Sequence, residues 1–437
     1  MSMRTAVVSD GPPRNVTPAG ARSFLLDDLP ALPETALAMA EQLYACSARD
    51  TPQRQRLRPW ESLESRLQSM CLCTEAEAMI ALHVLSDIRQ RAAERGSSGA
   101  AWGAAYARAM HLLRRPPTSM PKPAAVEPDE SRPLVQHWGG GVVRTHLVSA
   151  PTSMAVERTF YALRDLIGVR PPHTHMQIFD EKGRLVGSDG CRIDHVPLLI
   201  APMSDSHWAR ELLMALLQAL ESQDLGGELI RAKFVGIETY LLGRMHAANV
   251  GALVFTGFTS QHLVPELASF WRLLSRIARE GFIVVLCATA AVREALPHPT
   301  FRALFPPAQE ILAYDPGNYA GITQAMWELF ARRGPMPAAL SQILPETHGL
   351  RDLVVSSWVL YNRLVNQHGM DPSAAAEGLV DKACIGRLAI ARDLYGRVLG
   401  AEPISKSDYA KYQDYLPWET DVDDDASSSA QAGGKSP

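Results

Sequence analysis

Four short, largely apolar runs, each followed by a turn and a stretch with helical periodicity, constrain the fold of this chain more than any other feature. A half-buried strand would alternate polar and apolar residues, whereas these runs do not. Strands made of continuous apolar runs are buried on both faces. Strands that are joined through helices form a parallel sheet with right-handed crossovers. The sequence therefore predicts an α/β fold, a parallel sheet with helices on both faces. The four predicted strands are Thr145–Val148, Val196–Ala201, Ala252–Phe255 and Phe282–Cys287.

Changes in composition divide the rest of the chain around this sheet. Apolar residues at helical spacing predict a helical region before it, and six prolines within residues 114–133 exclude a helix or a central strand there. The last residues are acidic and then rich in Ser, Ala and Gly, a composition typical of disorder. The predicted divisions are a flexible leader (1–20), an α-helical N-terminal domain (21–113), a Pro-rich linker (114–137), the α/β core (138–334), a helical lid (335–418) and a disordered acidic tail (419–437).

Composition and charge exclude several classes of protein. Hydrophobic residues make up 46% of the 437 residues and charged residues 21%, as in ordinary globular proteins. No apolar run reaches the ~18 residues of a membrane span, and the N-terminus has no apolar signal segment. Because the net charge is −4, DNA contact would need a local basic patch. We expect a soluble, cytoplasmic protein with reduced cysteines and no membrane partner.

The first strand-turn-helix unit is where a nucleotide site should lie, because ligands of such sheets bind at the carboxyl ends of the strands beside a helix N-terminus. A working phosphate loop reads G-x-x-x-x-G-K-[ST]. If the loop begins at Ser149, its lysine and hydroxyl positions are Ala155 and Val156; if it begins at Ala150, they are Val156 and Glu157. Neither register supplies a glycine, a lysine or a hydroxyl for magnesium.

Two interpretations remain open for this degenerate loop. The stretch Ser149–Ser153 is either a simple connection with Thr152 or Ser153 capping the helix, or a remnant site that still holds an anion. The candidate cofactor-binding positions are Ser149, Thr152, Ser153, Ala155 and Val156.

The third predicted strand lacks its expected acidic pair. In a nucleotide-hydrolysing core this strand ends in carboxylates that bind magnesium and polarise water. Here the corresponding positions hold Thr256 and Gly257. Thr256 and the nearby Thr259 are more simply interpreted as turn residues at the end of a strand. Because both motifs are missing from one core, we expect a protein that does not hydrolyse ATP, and we assign no catalytic residue and no metal ligand.

The order of elements resembles the AAA+ regulators of transposition, of the TnsC/TniB/MuB type. The family runs strand, phosphate loop and helix, then a strand ending in proline, then the strand of the acidic pair, and then a strand ending in a polar sensor residue. Thr289 stands at that sensor position. The resemblance covers about residues 140–400 in pattern and spacing, and it implies a P-loop NTPase-like core. The matching stretches are Leu147–Leu163, Val196–Glu221, Glu238–Gln261, Leu267–Glu280, Gly281–Thr289 and the lid Leu350–Ala383.

The resemblance also implies a function. Working members of that family form ATP-dependent oligomers on DNA, mark the target site and contact the transposase. We therefore expect a regulator or scaffold of a mobile genetic element, a pseudo-ATPase that acts by homo- or hetero-oligomeric assembly with a transposase or an AAA+ homologue. Its DNA contact would be weak and non-specific. ATP and magnesium would be cofactors only if the degenerate loop still binds them.

Several arginines are candidates for contact with DNA or a neighbouring subunit. Arg272, Arg276 and Arg279 recur on one helical face and form a small basic stripe. Arg293 follows the fourth strand. A solvated helix face is the simpler interpretation of the stripe.

Two other functions remain open on the sequence. One is an active ATPase with unusual motifs, in which Lys182 or Lys233 supplies the cation and Glu238 or Glu266 the acid. The other is an adaptor protein unrelated to mobile elements.

Overall fold

The computed structural model describes most of the helical regions and the central sheet. The described residues are 15–16, 24–49, 51–97, 106, 109–110, 113, 143–168, 173–179, 185–203, 209–220, 233–263, 268–294, 304–330, 335–417 and 422–423. The Pro-rich linker predicted for residues 114–137, and most of the predicted leader and tail, lie outside these ranges. Among the described residues, no helix combines the length and apolar content that crossing a bilayer requires.

The described elements alternate helices and strands through the middle of the chain. The strands are β1 (Asn15–Val16), β2 (Thr145–Ser149), β3 (His173–Phe179), β4 (Leu185–Ile193), β5 (Leu198–Pro202), β6 (Ala252–Phe258), β7 (Ile283–Ala288), β8 (Gln309–Glu310), β9 (Ile404–Ser405) and β10 (Val422–Asp423). The helices up to the sheet's end are α1 (Phe24–Asp27), α2 (Ala36–Ser47), α3 (Pro59–Ser69), α4 (Glu75–Ser97), α5 (Glu157–Ile167), α6 (Ala209–Leu220), α7 (Phe234–Ala247), α8 (Ala268–Arg279) and α9 (Ala290–Glu294). Those that follow are α10 (Tyr319–Glu328), α11 (Ile343–Glu346), α12 (Arg351–Asn362), α13 (Pro372–Ala376), α14 (Leu379–Ala383), α15 (Arg387–Leu399) and α16 (Lys406–Tyr412).

A parallel sheet of five strands forms the centre, in the order β5-β6-β7-β2-β8. The four predicted strands are its four longer members, so the predicted α/β class with a parallel sheet is confirmed. Continuous apolar runs gave that signal because both faces of these strands are covered. The edge strand β8 escaped prediction, since two residues carry no pattern.

The strand order decides where the loops meet. From β2 the chain runs to the far edge at β5 and returns through β6 and β7 to lie beside β2 again. The order therefore reverses next to β2, whose neighbours are β7 and β8. In open α/β sheets the crevice for a ligand lies at the carboxyl ends of the strands around such a reversal. The loops after β2, β6 and β7 therefore surround one edge of the sheet, here called the carboxyl edge.

The two faces of the sheet bury separate hydrophobic clusters. On one face α6, α7 and α8 pack over the strands, with Phe255 and Phe270 fully buried. On the other face the N-terminal helices, α5 and α12 share a single cluster that includes Leu85, Phe160 and Trp358. The N-terminal helical region and the lid therefore pack together against one face of the core. The exact domain boundaries stay predictions.

Two smaller sheets lie outside the five-stranded one. In the first, β3 pairs antiparallel with β4 and parallel with β1. His173 and His175 lie in β3. Three consecutive residues of β3, Met176, Gln177 and Ile178, alternate apolar and polar, which is the signal for a strand that sequence reasoning passed over. In the second sheet, β9 pairs parallel with β10.

Gly251 lets β5 and β6 approach each other at their amino ends. A Cβ added at this glycine would lie 2.4 Å from the carbonyl oxygen of Pro197. We expect Gly251→Ala to lower the free energy of unfolding by about 1–3 kcal/mol, because the strand backbone would have to move. Urea denaturation of the purified variant measures the loss.

Gly321 provides the matched control for that variant. It lies in α10, and a Cβ added there would meet open space. Gly321→Ala should raise the free energy of unfolding by about 0.5–1 kcal/mol, since alanine loses less backbone entropy in a helix. Equal effects of the two substitutions would contradict the steric explanation.

Candidate functional site

The loop between β2 and α5 turns tightly and closes with a left-handed residue. A single 3-10 turn spans Thr152–Met154, and Ala155 follows at φ 46°. Helix α5 then begins at Glu157, after Val156, and no side chain caps it. The predicted capping role of Thr152 or Ser153 is therefore wrong. The extra turn moves the helix start past both hydroxyls.

Backbone amides of this loop donate within the loop itself. The Met154 N–H donates to the Pro151 carbonyl at 2.9 Å, and the Ala155 N–H donates to the Thr152 carbonyl at 3.3 Å. The Arg158 and Thr159 amides, in the first turn of α5, donate to the carbonyls of Ala155 and Val156 at 3.1 and 3.0 Å. A working phosphate loop instead points its amides at the phosphates. These four amides are already engaged by carbonyls of the protein.

The side chains of the degenerate loop face the interior. Ala155 and Val156, at the lysine and hydroxyl positions, are buried. Ser149 is buried within β2, where its carbonyl accepts a hydrogen bond from the Ile311 N–H at 2.8 Å. Ser153 is 1% exposed, and its hydroxyl has no hydrogen-bond partner among the described residues. Of the predicted loop positions, only Thr152 reaches the carboxyl edge with a described side-chain contact.

Asp414, from the end of the chain's helical lid, lies at the carboxyl edge and contacts all three loops there. Its carboxylate accepts hydrogen bonds from the Thr289 hydroxyl at 2.5 Å, the Ser260 N–H at 2.8 Å and the Ser260 hydroxyl at 2.6 Å. The Thr152 hydroxyl donates to the Asp414 main-chain carbonyl at 2.9 Å. Of these donor residues, Thr152 follows β2, Ser260 follows β6 and Thr289 follows β7. One residue thus joins the ends of three strands.

This arrangement suits an anion. Its donors are neutral hydroxyls and one backbone amide, and their acceptor is a carboxylate, so these hydrogen bonds are charge-assisted and stronger than neutral ones. Thr289, predicted as the sensor-like residue, belongs to this donor set. Sequence reasoning missed Ser260 and Asp414. No local signal could have found Asp414, because its partners lie 125, 154 and 262 residues away along the chain.

The positions predicted for the acidic pair lie within a strand rather than after it. Strand β6 continues to Phe258, three residues past the predicted end. Thr256 is buried and its carbonyl accepts a hydrogen bond from the Met203 N–H at 2.8 Å. Gly257 is exposed at φ 77°, where the pairing with β7 is irregular. The loop that reaches the carboxyl edge therefore starts at Thr259, and Ser260 supplies its donors.

A buried ion pair lies beneath the loop that follows β2. Arg351, the first residue of α12, makes a two-pronged contact with Glu77 of α4, with Nη1 2.8 Å from Oε1. The two side chains are 1% and 0% exposed. Arg351 also donates to the Tyr314 hydroxyl at 2.8 Å and to the Leu72 carbonyl at 3.1 Å. Glu77 accepts from the Thr159 hydroxyl of α5 at 3.0 Å. The pair therefore links the N-terminal helices, the core and the lid.

The surroundings of this pair shift several pKa values. Burial acts to lower the pKa of Arg351, but the charge of Glu77 raises it above its ordinary value. Burial raises the pKa of Tyr314 to about 12. A hydrogen bond joins the thiols of Cys71 and Cys73. It lowers the pKa of Cys71 and raises the pKa of Cys73. The guanidinium thus stays charged inside the protein, paired with the Glu77 carboxylate.

A second ion pair ties α12 to α5. Arg158, in the first turn of α5, lies 3.1 Å from Asp352 of α12. Burial raises the pKa of Asp352 to about 6, and Arg158 partly offsets that rise. Asp352 therefore attaches the lid directly to the helix that follows the degenerate loop, and the adjacent Arg351 reaches that helix through Glu77 and Thr159.

The predicted basic stripe is interrupted. On α8, Arg272 and Arg279 are exposed, whereas Arg276 forms an ion pair with Glu238 of α7 at 2.8 Å. Arg293 pairs with the glutamate of β8. The stripe thus presents two exposed guanidinium groups, and the carboxylate of Glu238 is held by an arginine.

Two surface cavities are lined by residues other than those of the carboxyl edge. One of about 490 Å³ is lined by residues of α3 and of the segment that follows α12, among them Trp60 and Arg363. Another, of about 780 Å³, lies in the lid beside His348 and Arg397. Within the described ranges, no group of three or more His, Cys, Asp or Glu side chains could hold a metal ion.

Breaking the buried ion pair should destabilise the protein strongly. Glu77→Gln keeps the shape of the side chain but leaves the charge of Arg351 buried without its partner. We expect the free energy of unfolding to fall by about 3–5 kcal/mol. Chemical denaturation at neutral pH measures this loss.

The exposed pair between Asp381 and Arg392, at 2.9 Å, supplies the matched control. Asp381→Asn should change stability by no more than about 1 kcal/mol, because an exposed ion pair is well solvated. If Glu77→Gln lowers the free energy of unfolding no more than this control does, the pair of Glu77 and Arg351 does not hold the N-terminal helices, the core and the lid together.

Comparison with known proteins assigns no family to this chain. No protein-family model matches it, and no curated protein matches it either. The functional interpretation therefore depends on the residues at the carboxyl edge and on the order of the elements that surround them.

Proposed function

We propose that this protein is a non-hydrolysing, AAA+-like scaffold that regulates transposition through assembly. In this proposal its P-loop-like core serves as a structural platform rather than as an ATPase. The observation that carries the proposal is Asp414, whose carboxylate occupies the carboxyl edge where a nucleotide-binding core would receive phosphate.

Charge at this edge supports the proposal. A triphosphate bound beside the loop after β2 would bring its negative charge close to the Asp414 carboxylate, and like charges at such distances repel. In a working site, a lysine and magnesium compensate the phosphate charge. Here the loop positions for the lysine and the hydroxyl are the buried side chains Ala155 and Val156. Nucleotide binding would therefore require both a new cation and the removal of Asp414.

The backbone of the loop supports it as well. Phosphate loops bind through free amides, whereas the amides of Met154 and Ala155 donate to carbonyls of the same loop. Releasing them would mean unfolding the 3-10 turn. The loop is thus organised as a connection between a strand and a helix.

The partners follow from the resemblance in element order. We propose that the chain assembles with copies of itself, with an active AAA+ homologue or with a transposase of a mobile element. DNA contact, in this proposal, is weak and non-specific, and it uses the exposed Arg272 and Arg279 of α8.

An active ATPase with unusual motifs is less well supported. Of its candidate acids, Glu238 is engaged by Arg276. Of its candidate cations, Lys233 precedes α7 and is exposed. Lys182 and Glu266 lie outside the described residues. The other alternative is an adaptor protein unrelated to mobile elements. The genes next to this one distinguish it from the leading proposal, because an adjacent transposase gene would support only the transposition scaffold.

ATP binding is the decisive test. We expect calorimetric titration of the full-length protein with ATP, with and without magnesium, to show no micromolar binding, because Ala155 and Val156 stand where a phosphate loop carries its lysine. A phosphate-release assay should show no turnover above the buffer background. Micromolar affinity accompanied by turnover would establish an ATPase and end the scaffold proposal.

DNA binding gives a separate prediction. We expect a random-sequence duplex to bind weakly at low salt, with a salt dependence that reports how many phosphates the protein neutralises. Replacing Arg272 and Arg279 together by alanine should reduce the slope of log K against log salt by about 2, roughly 0.9 for each phosphate that is no longer neutralised. Fluorescence anisotropy across a salt series measures this slope.

The control for that variant is Arg387→Ala, which removes an exposed arginine from the lid helix α15. It should leave the slope unchanged. A complete lack of complex at low salt, or an equal effect of the control, would contradict a DNA-binding role for α8.

A further inference from the structure

The segment that carries Asp414 is held against the protein at both of its ends. It comprises residues 404–416 and is here called the C-terminal strap; it contains β9, α16 and a 3-10 turn at Gln413–Tyr415. Ile404 and Leu416 are fully buried and form one apolar cluster with Leu394 of the lid helix α15. The strap is thus anchored to the lid by apolar contacts and to the sheet by Asp414.

The contacts of Asp414 have the composition of an anion site. Two hydroxyls and one amide, from Ser260 and Thr289, converge on one carboxylate. If the carboxylate is withdrawn, the three donors lose their acceptor together. Such a group of donors favours a ligand with negatively charged oxygens.

We propose that the carboxyl edge is an oxyanion-binding site and that the C-terminal strap is its internal, competing ligand. Asp414 fills the site in the resting protein and keeps free oxyanions out. Because the strap packs against α15, a movement of the lid would withdraw Asp414 and open the site. The ligand class is a small oxyanion or the terminal phosphate of a larger molecule.

This inference deepens the proposed function, since it concerns the regulation of the same edge and rests on the same occupancy by Asp414. Its test, however, involves neither ATP nor DNA nor a transposase. Unchanged exchange at Ser260 would remove the Asp414 occupancy that both proposals use. A missing phosphate response would overturn this inference alone and leave the ATP and DNA predictions standing.

Hydrogen exchange of the full-length protein tests the contact directly. The Ser260 amide donates to Asp414, so its exchange rate reports whether the carboxylate is in place. We expect Asp414→Asn, which keeps the size of the side chain, to raise exchange at Ser260 and across the strap by about tenfold or more. Glu402→Gln, which removes the same charge from an exposed position just before the strap, should leave both unchanged.

Inorganic phosphate is the probe for the opened site. Thermal unfolding of Asp414→Ala should shift to higher temperature as phosphate is added, because a ligand that binds only the folded state stabilises it. Wild type and Glu402→Gln should show no shift beyond that of matched sodium chloride. Acetate in place of phosphate distinguishes a site for carboxylates in general from one that prefers phosphate.

The outcomes are separable. Faster exchange in Asp414→Asn, together with a phosphate-dependent shift only in Asp414→Ala, supports the proposal. Unchanged exchange at Ser260 in Asp414→Asn would show that the strap does not occupy the edge. Equal phosphate shifts in wild type and Asp414→Ala would show that Asp414 does not compete with an oxyanion. Either of these last two results would overturn the proposal that the strap is an internal ligand of an oxyanion site.

Discussion

The buried pair between Glu77 and Arg351 is the interaction on which the arrangement of the parts depends. Each charge is tolerable in the interior only because the other is there, along with Tyr314, Thr159 and the Leu72 carbonyl. These groups belong to α4, α5, α12 and the segments between them. A change in the relative position of the N-terminal helices, the core or the lid would leave a charge buried without its partner, which costs several kcal/mol.

The candidate site lies directly above this pair. The loop after β2 is held from below, where the Arg351 guanidinium lies 3.5 Å from the Ala155 carbonyl, and from above, where Thr152 donates to Asp414. The amides of Met154 and Ala155 are engaged within the loop, and the side chains of Ser153, Ala155 and Val156 are buried. A loop held in this way has little freedom to wrap a phosphate chain. The same constraints make it a stable junction between the sheet, the lid and the C-terminal strap, which is compatible with the proposed scaffold role.

Several features were predictable because their causes are local. The continuous apolar runs predicted β2, β5, β6 and β7, since a strand covered on both faces has no polar alternation. Element ends were less predictable. Strand β6 continues through Thr256 and Gly257 because β7 still pairs beside it, irregularly, as far as Phe258. The start of α5 was also misplaced, because a 3-10 turn precedes it.

By itself, the sequence determined that this chain forms a parallel α/β sheet and that the loop after its first core strand lacks glycine, lysine and a magnesium-binding hydroxyl. Both are properties of residues adjacent in the chain. Only the tertiary structure decided which groups fill the carboxyl edge and the interior below it. Asp414 meets Ser260, and Arg351 meets Glu77, across 154 and 274 residues. The strand order and the docking of the lid bring these groups together, and no local pattern records such an encounter.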